Sequence, residues 1–319
     1  MPTRTIRLGC RRSPLAQTQA AQIADALAAA SGLERRAIRL VPIATSGDAR
    51  LDVALADIGG KGLFTAELEA ALRAGEIEGA VHSLKDLSSR MDEDLHIAAI
   101  PARADARDAL IVPQGWQVPK GADALEILPN GARVGTASLR RQAQLRRVRP
   151  DVRCELLRGN IATRLKKLDA SLAAPPPLFG ILAVCGLERQ GLMARAAAIL
   201  PEDLMLPAAG QGALAIQSLA AKSDLTALFR TLEHEESRQT VTAERAFLAE
   251  LEGSCRLPIA ARAHIHGGEL QLTGRLLSHD GQTLGEARAR APRQKSADAG
   301  RRAAGEIRRR HGALLASLA

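Results

Sequence analysis

Arg133-Val-Gly-Thr-Ala-Ser-Leu-Arg-Arg141 is the stretch that decides the fold. Arg133–Gly135 reads as a short strand and Ser138–Arg147 as a helix, with small and hydroxyl residues at the turn between them. A strand turning directly into a helix is half of a βαβ unit, and such units build mostly parallel sheets. The same alternation extends outward. Upstream, the pattern predicts strands at Thr5–Leu8, Arg39–Ile43, Gly79–Val81 and Ile97–Ile100, and helices at Leu15–Ala30 and Phe64–Ala74. Ser13-Pro14 starts the first of these helices, because proline is tolerated in a first turn. Around the quoted stretch, Ala109–Val112, Arg153–Leu157 and Phe179–Val184 read as strands, and Ala122–Leu128 and Ile161–Leu168 as helices. Beyond Thr231 the style changes. A helix over Glu235–Leu251 leads into strands at Ile259–Ile265, Glu269–Leu277 and Leu284–Ala289, whose Gly-containing turns imply an antiparallel meander. A basic amphipathic helix closes the chain. At 319 residues the chain is too long for one ordinary core, so two or three domains are expected.

The positive charge is focal. Arg140 to Lys167 holds ten Lys or Arg against Asp151 and Glu155, which is +8 of the chain's +9. Arg288 to Arg310 adds +7, so the rest of the chain carries −6. A tight arginine cluster suits a small polyanion, since each guanidinium grips a carboxylate with two parallel hydrogen bonds. A nucleic-acid backbone is the other candidate anion. With four Phe, one Trp and no Tyr, the chain lacks the aromatic faces on which single-stranded bases stack.

Cys10, Cys154, Cys185 and Cys255 are dispersed, with no CxxC, and read as reduced thiols in a cytosol. No metal site is expected: His264 and His266 alternate on one strand face without a third ligand, and His234-Glu-Glu is not H-E-x-x-H. The N-terminus, interrupted by Arg4, Arg7, Arg11 and Arg12, does not read as a signal peptide, and Leu178–Leu187 is too short to span a membrane. A cytoplasmic protein is expected.

Each candidate residue has a plain reading beside its functional one. Ser138 with Arg140 and Arg141 is either a capped, solvated helix or an anion site at a helix N-terminus; Arg158-Gly-Asn160 and Arg164 nearby favour the anion site. Asp86, just past a strand in Val81-His-Ser-Leu-Lys-Asp-Leu87, is by itself more simply a turn former than a stabiliser of a developing cation. Gly59-Gly-Lys-Gly-Leu-Phe64 fails the phosphate-loop pattern and reads as a Gly-rich lid bearing Lys61. Cys255, in Leu251-Glu-Gly-Ser-Cys-Arg-Leu-Pro258, is by itself an ordinary buried thiol, though Arg256 is a neighbour that would favour its thiolate.

Taken in order, Arg11-Arg-Ser-Pro-Leu-Ala16, Thr45-Ser-Gly-Asp48, GGKGLF, HSLKD, GTASLRRQ, LRGNIATRL, Pro207-Ala-Ala-Gly-Gln-Gly212, Val241-Thr-Ala-Glu-Arg245 and LEGSCRLP resemble the hydroxymethylbilane synthase, or porphobilinogen deaminase, family over nearly the whole chain. Ser254 stands where that family commonly has Gly, and Leu87-Ser88 where it has Val-Pro.

The resemblance implies an enzyme that joins four porphobilinogen units head to tail, releasing ammonia at each step, to give a linear tetrapyrrole. It implies growth on a dipyrromethane cofactor held by a thioether to Cys255. Lys85, Ser138, Arg140, Arg141, Arg164 and Arg189 would bind that cofactor, and Arg11, Ser13, Lys61 and Arg158 the substrate. Asp86 matches the catalytic carboxylate, which would hydrogen-bond pyrrole N–H groups and stabilise the azafulvenium-like cation left by ammonia. The implied fold is α/β: two periplasmic-binding-protein-like lobes with mixed, mostly parallel sheets, plus a small α+β C-terminal domain. The boundaries are 1–104 with 208–232 for the first lobe, 105–207 for the second, and 233–319 for the domain carrying the cysteine. A monomer binding neither nucleic acid nor membrane is expected. The competing classes are a two-lobed anion receptor, which leaves Asp86 and Cys255 without roles, and a nucleic-acid protein.

Overall fold

The computed structural model describes residues 5–49, 64–173, 175–251 and 257–318. Lys61 and Cys255 lie outside them. The described chain divides into two compact units: residues up to 104 with 212–238, and residues 105–211 with 239 onward.

The first unit is built on β1 (Ile6–Arg11), α1 (Pro14–Ser31), β2 (Ile38–Ile43), α2 (Ser46–Ala49), α3 (Ala66–Arg73), β3 (Gly79–Ser83) and β4 (Leu95–Ala99). The second opens with β5 (Asp108–Ile111), β6 (Arg133–Gly135), α4 (Leu139–Val148), β7 (Arg153–Glu155), α5 (Ile161–Ser171), β8 (Leu178–Ala183), α6 (Val184–Arg189) and β9 (Ala196–Leu200). The chain then returns to the first unit for β10 (Leu214–Leu219) and α7 (Ser223–Phe229). Next come α8 (Glu235–Glu250), β11 (Ile259–His266), β12 (Glu269–Leu277), β13 (Leu284–Pro292) and α9 (Ser296–Leu318).

The two five-stranded sheets share one topology. Their orders are β2-β1-β3-β10-β4 and β7-β6-β8-β5-β9. In each, three strands pair in parallel, and the fourth in the row runs antiparallel to both its neighbours. Four of five strands therefore point one way, which makes both sheets mixed and mostly parallel. The reversed strand is in each case the first one laid down after the chain crosses from the other unit: β5 on the way out, β10 on the way back. No sequence repeat announces this duplication.

Parallel pairing puts the C-terminal ends of β1 and β3 at one sheet edge, and those of β6 and β8 at the corresponding edge of the second sheet. Ligands of open α/β sheets collect at such edges, where helices begin. Local chemistry fixes the helix starts there. Ser13 caps α1 by accepting from the Ala16 amide, with Pro14 in the first turn. Asn160 caps α5 by accepting from the Thr163 amide at 2.8 Å. Buried apolar residues hold the sheets: Ile6, Leu8, Ile23, Leu27 and Phe229 in the first, and Leu110, Val134 and Phe179 on one face of the second.

The third sheet, β11-β12-β13, is an antiparallel meander packed on α8 and α9 around fully buried Phe247. The two helices approach so closely that a Cβ at Gly300 would stand 2.2 Å from the Ala243 carbonyl oxygen. The β12–β13 turn docks on α4: Gly281 has φ +76°, and a Cβ there would meet the Ala143 carbonyl oxygen at 2.3 Å.

One expected helix is absent. Ala122–Leu128 forms successive turns. Asp123 and Glu126 make a reciprocal capping arrangement, the Asp123 amide donating to Glu126 and the Leu125 amide to Asp123, but Pro129 stops propagation after a single turn. Strand β9 was hidden by Ala196-Ala-Ala, and β10 by Gln217-Ser218 inside an otherwise apolar run.

Candidate functional site

Asp86 closes the short helical turn Leu84–Asp86 that follows β3. Its carboxylate is 34% exposed and stands 3.8 Å from the Arg11 guanidinium at the end of β1. That distance is long for an ion pair, so carboxylate oxygens stay accessible to another donor. Arg11 also lies over the Phe64 ring, 4.1 Å from its centroid, which restricts the guanidinium without neutralising it. Arg11, Ser13, Gln19, Phe64, His82, Ser83 and Asp86 line a small pocket of about 60 Å³. Behind it, buried Gln19 exchanges hydrogen bonds with Ser83 at 2.9 and 3.1 Å, fixing the backbone that leads to Asp86. Lys85 is half-buried on the same turn.

His82 was not singled out by sequence. It is 5% exposed and its Nε2 lies 2.9 Å from the Gln217 Oε1. Gln217 donates its own amide to Glu69 at 3.1 Å, so its oxygen faces the imidazole and Nε2 carries the proton. Burial, aided by the Arg11 charge and opposed by the Gln217 hydrogen bond, lowers the His82 pKa to about 4. The ring is neutral in the fold, whereas in the unfolded chain it takes a proton near pH 6.5. Between those values the unfolded state binds more protons. Stability therefore falls as pH drops from about 6.5 to about 4, by up to about 1.4 kcal/mol per pH unit from this group. A His82→Gln variant is expected to flatten that part of a urea-denaturation profile against pH; an unchanged slope would remove His82 as its source.

In the second unit the arginines are not spread on a solvated face. Arg140 and Arg141 are 5% and 6% exposed. Both bind Asp108, which is fully buried: Arg140 Nη2 to Oδ2 at 2.8 Å and Arg141 Nη2 to Oδ1 at 2.7 Å. Arg140 Nη1 donates to the Leu206 carbonyl at 2.7 Å and Arg141 Nη1 to the Ile181 carbonyl at 2.9 Å. Burial acts to raise the Asp108 pKa, but the two guanidinium groups outweigh it and hold the carboxyl well below its usual range. Burial lowers the Arg140 pKa, opposed by Asp108. Two cations on one anion leave a buried net positive charge, which an incoming anion would neutralise.

Two donors support that reading. Arg141 Nε and Arg158 Nη1 are buried without a hydrogen-bond partner. Leaving a charged donor unsatisfied is costly, so such atoms call for an acceptor. Ser138 sits at the N-cap of α4 yet makes no capping bond, so its hydroxyl is not spent on its own helix. Arg164 Nε donates to the Gly159 carbonyl at 2.7 Å, beside the positive φ of Gly159. Arg189 ends α6, half-buried, its pKa lowered by burial. Sequence reasoning thus found the arginines but missed Asp108, whose one signal is a carboxylate opening the apolar strand Asp108-Ala-Leu-Ile111.

Among the described residues, no group of three or more His, Cys, Asp or Glu gathers to hold a metal ion, and no helix is long and apolar enough to cross a membrane. His264 instead pairs with Glu202 at 2.7 Å.

Each unit carries a mixed, mostly parallel sheet; the first holds a strand-end carboxylate in Asp86, and the second holds buried guanidinium groups with donors lacking acceptors, the kind of group that anion-binding α/β proteins present. Residues 6–227 match the family described as "Porphobilinogen deaminase, dipyromethane cofactor binding domain", and residues 238–309 the "Porphobilinogen deaminase, C-terminal domain". A porphobilinogen deaminase of Sphingopyxis alaskensis is 46% identical over 281 residues, covering 88% of this chain and 86% of its own. One of Nitrobacter winogradskyi is 42% identical over 305 residues, covering 96% and 93%. Among solved structures, an ancestral cationic amino acid solute binding protein aligns over 72% of this chain and 87% of its own, at 13% identity and a TM-score of 0.41. The chain belongs to the porphobilinogen deaminase family.

Proposed function

We propose that the chain is a hydroxymethylbilane synthase: a transferase that condenses porphobilinogen head to tail, with loss of ammonia, in porphyrin biosynthesis. The observation that carries this reading is the family match over residues 6–227 and 238–309, which leaves no large part of the chain outside the family's two domains.

The family's dipyrromethane group has a donor set to meet it. It carries several carboxylates, and Arg141 Nε and Arg158 Nη1 are buried donors lacking acceptors. Lys85, Ser138, Arg140, Arg141, Arg164 and Arg189 would hold it, with Cys255 as the covalent anchor. When bound, the group supplies the primer from which the product grows. Arg11, Ser13, Lys61 and Arg158 would hold the substrate's acetate and propionate groups. Their work is orientation: a pyrrole with both carboxylates gripped presents its reacting carbon in one direction.

Asp86 would be the catalytic carboxylate. The carbon–nitrogen bond of the aminomethyl group breaks, nitrogen leaves as ammonia, and the positive charge left is shared with the pyrrole N–H. A carboxylate accepting from that N–H stabilises charge as it develops. The accessible Asp86 oxygens, only loosely engaged by Arg11, support this role. A carbon–carbon bond then forms and the pyrrole α-proton departs.

The three-part division at residues 1–104 with 208–232, 105–207 and 233–319 belongs to the same proposal, as do a monomeric state, a cytoplasmic location and the absence of nucleic-acid partners. Supplying porphobilinogen to the purified chain should release one ammonia per substrate consumed and one linear tetrapyrrole per four. Binding without consumption would return the chain to the class of anion receptors, and consumption without ammonia release would refute the deaminating condensation.

A further inference from the structure

We propose that Asp108 is the positioning residue for the Arg140–Arg141 pair, and that Gln211 locks it to both points where the chain enters and leaves the second unit. This rests on the reading that the two arginines grip carboxylates.

Adjacent arginines on a helix repel each other and have many rotamers. Here neither is free to choose. One carboxylate takes an Nη from each, and a backbone carbonyl takes the other Nη. Four hydrogen bonds between 2.7 and 2.9 Å fix both guanidinium planes, and Arg141 Nε is the buried donor left over. Asp108 therefore sets the aim of the pair while cancelling only half its charge.

The same carboxylate has a third donor. Gln211, 1% exposed, donates its side-chain amide to Asp108 Oδ1 at 2.8 Å and to the Ala106 carbonyl at 2.6 Å. Ala106 and Asp108 lie on the incoming passage of the chain, and Gln211 is the last residue of the outgoing one. Leu206, which holds Arg140, lies on that outgoing passage as well, and Gln144 on α4 bonds its backbone on both sides. The arginine pair and both passages form one hydrogen-bonded body, so a disturbance of either passage reaches the anion-binding groups through Asp108.

A carboxylate that served the fold alone would affect how much chain folds, not how fast each loaded chain turns over. The test uses full-length Asp108→Asn and Gln211→Met, made in a host that supplies porphobilinogen. The fraction of chains with the covalent adduct is read by intact mass. kcat and KM are then expressed per adduct-bearing chain, and bound intermediates are counted after a limiting pulse of porphobilinogen. Gln211→Met is expected to fold and carry the full adduct, but to lose about tenfold in kcat, the worth of one hydrogen bond to a charged group. Its KM should move less than twofold, and early intermediates should accumulate. Asp108→Asn should lose more, about a hundredfold per loaded chain. Wild-type kcat and a wild-type distribution of intermediates in Gln211→Met overturn the proposal, and that variant decides if Asp108→Asn is recovered unfolded. Arg141→Gln separates the premise: wild-type adduct and turnover there would overturn the carboxylate-gripping reading itself.

Discussion

Asp86→Asn is expected to lower porphobilinogen turnover by about a hundredfold to a thousandfold while leaving the fold intact. The size follows from what preorganised groups contribute when aimed at developing charge, about 2.7–4 kcal/mol for one donor removed. Asparagine keeps the shape and one acceptor oxygen, so it can still meet a pyrrole N–H. It lacks the full negative charge that the departing ammonia makes valuable. The fold should hardly notice, because the ion pair with Arg11 is long and partly exposed, and such pairs contribute little. The effect should fall on kcat, since the carboxylate acts most strongly in the transition state, and KM should change little. Steady-state kinetics beside thermal unfolding checks this. A variant within threefold of wild-type kcat would take Asp86 out of the chemistry, leaving it as a turn residue.

The residues on which these expectations turn were not equally visible in the sequence. Arg11 and Asp86 are 75 positions apart, yet their meeting follows from reading β1 and β3 as parallel strands, because parallel strands end at the same sheet edge. Each lies in a short motif at a strand's end, where chemistry concentrates. Asp108 had no such signal. It precedes an apolar triplet, so periodicity assigns the strand and passes over the charge. Its partners come from α4, 32 and 33 positions on, and from a return passage 103 positions on. Charge counting saw ten cations between Arg140 and Lys167 but not which two are buried on an acid from outside that window. His82 was hidden in the same way: its partner Gln217 sits on β10, a strand that its own polar residues disguised. Local pattern reveals elements and exposed motifs, whereas buried polar networks are made by the topology that brings distant elements together.

Cys255→Ser is expected to abolish both the covalent adduct and the activity. Intact mass of the wild-type chain, made where porphobilinogen is present, should exceed the sequence mass by two linked pyrrole units; the serine variant should show the bare sequence mass. The other cysteines cannot stand in for the missing thiol. Cys10 is fully buried in β1 and burial raises its pKa to about 11, so it offers almost no thiolate near neutral pH. Cys185 is buried in α6. Cys154 is half-buried, with a pKa raised by burial despite the Arg146 charge beside it. A Cys154→Ser control should therefore keep the adduct and near-wild-type turnover. Loss of the adduct should also cost stability, because the buried Arg140–Arg141 pair would keep a net positive charge with no anion to answer it, and ligands that bind only the native state stabilise it. Circular dichroism should show near-native secondary structure for Cys255→Ser with an earlier thermal transition. If the adduct persists in that variant, the anchor is another residue. If the active wild-type chain carries no adduct at all, the arginines serve the substrate alone and the primer must be free in solution.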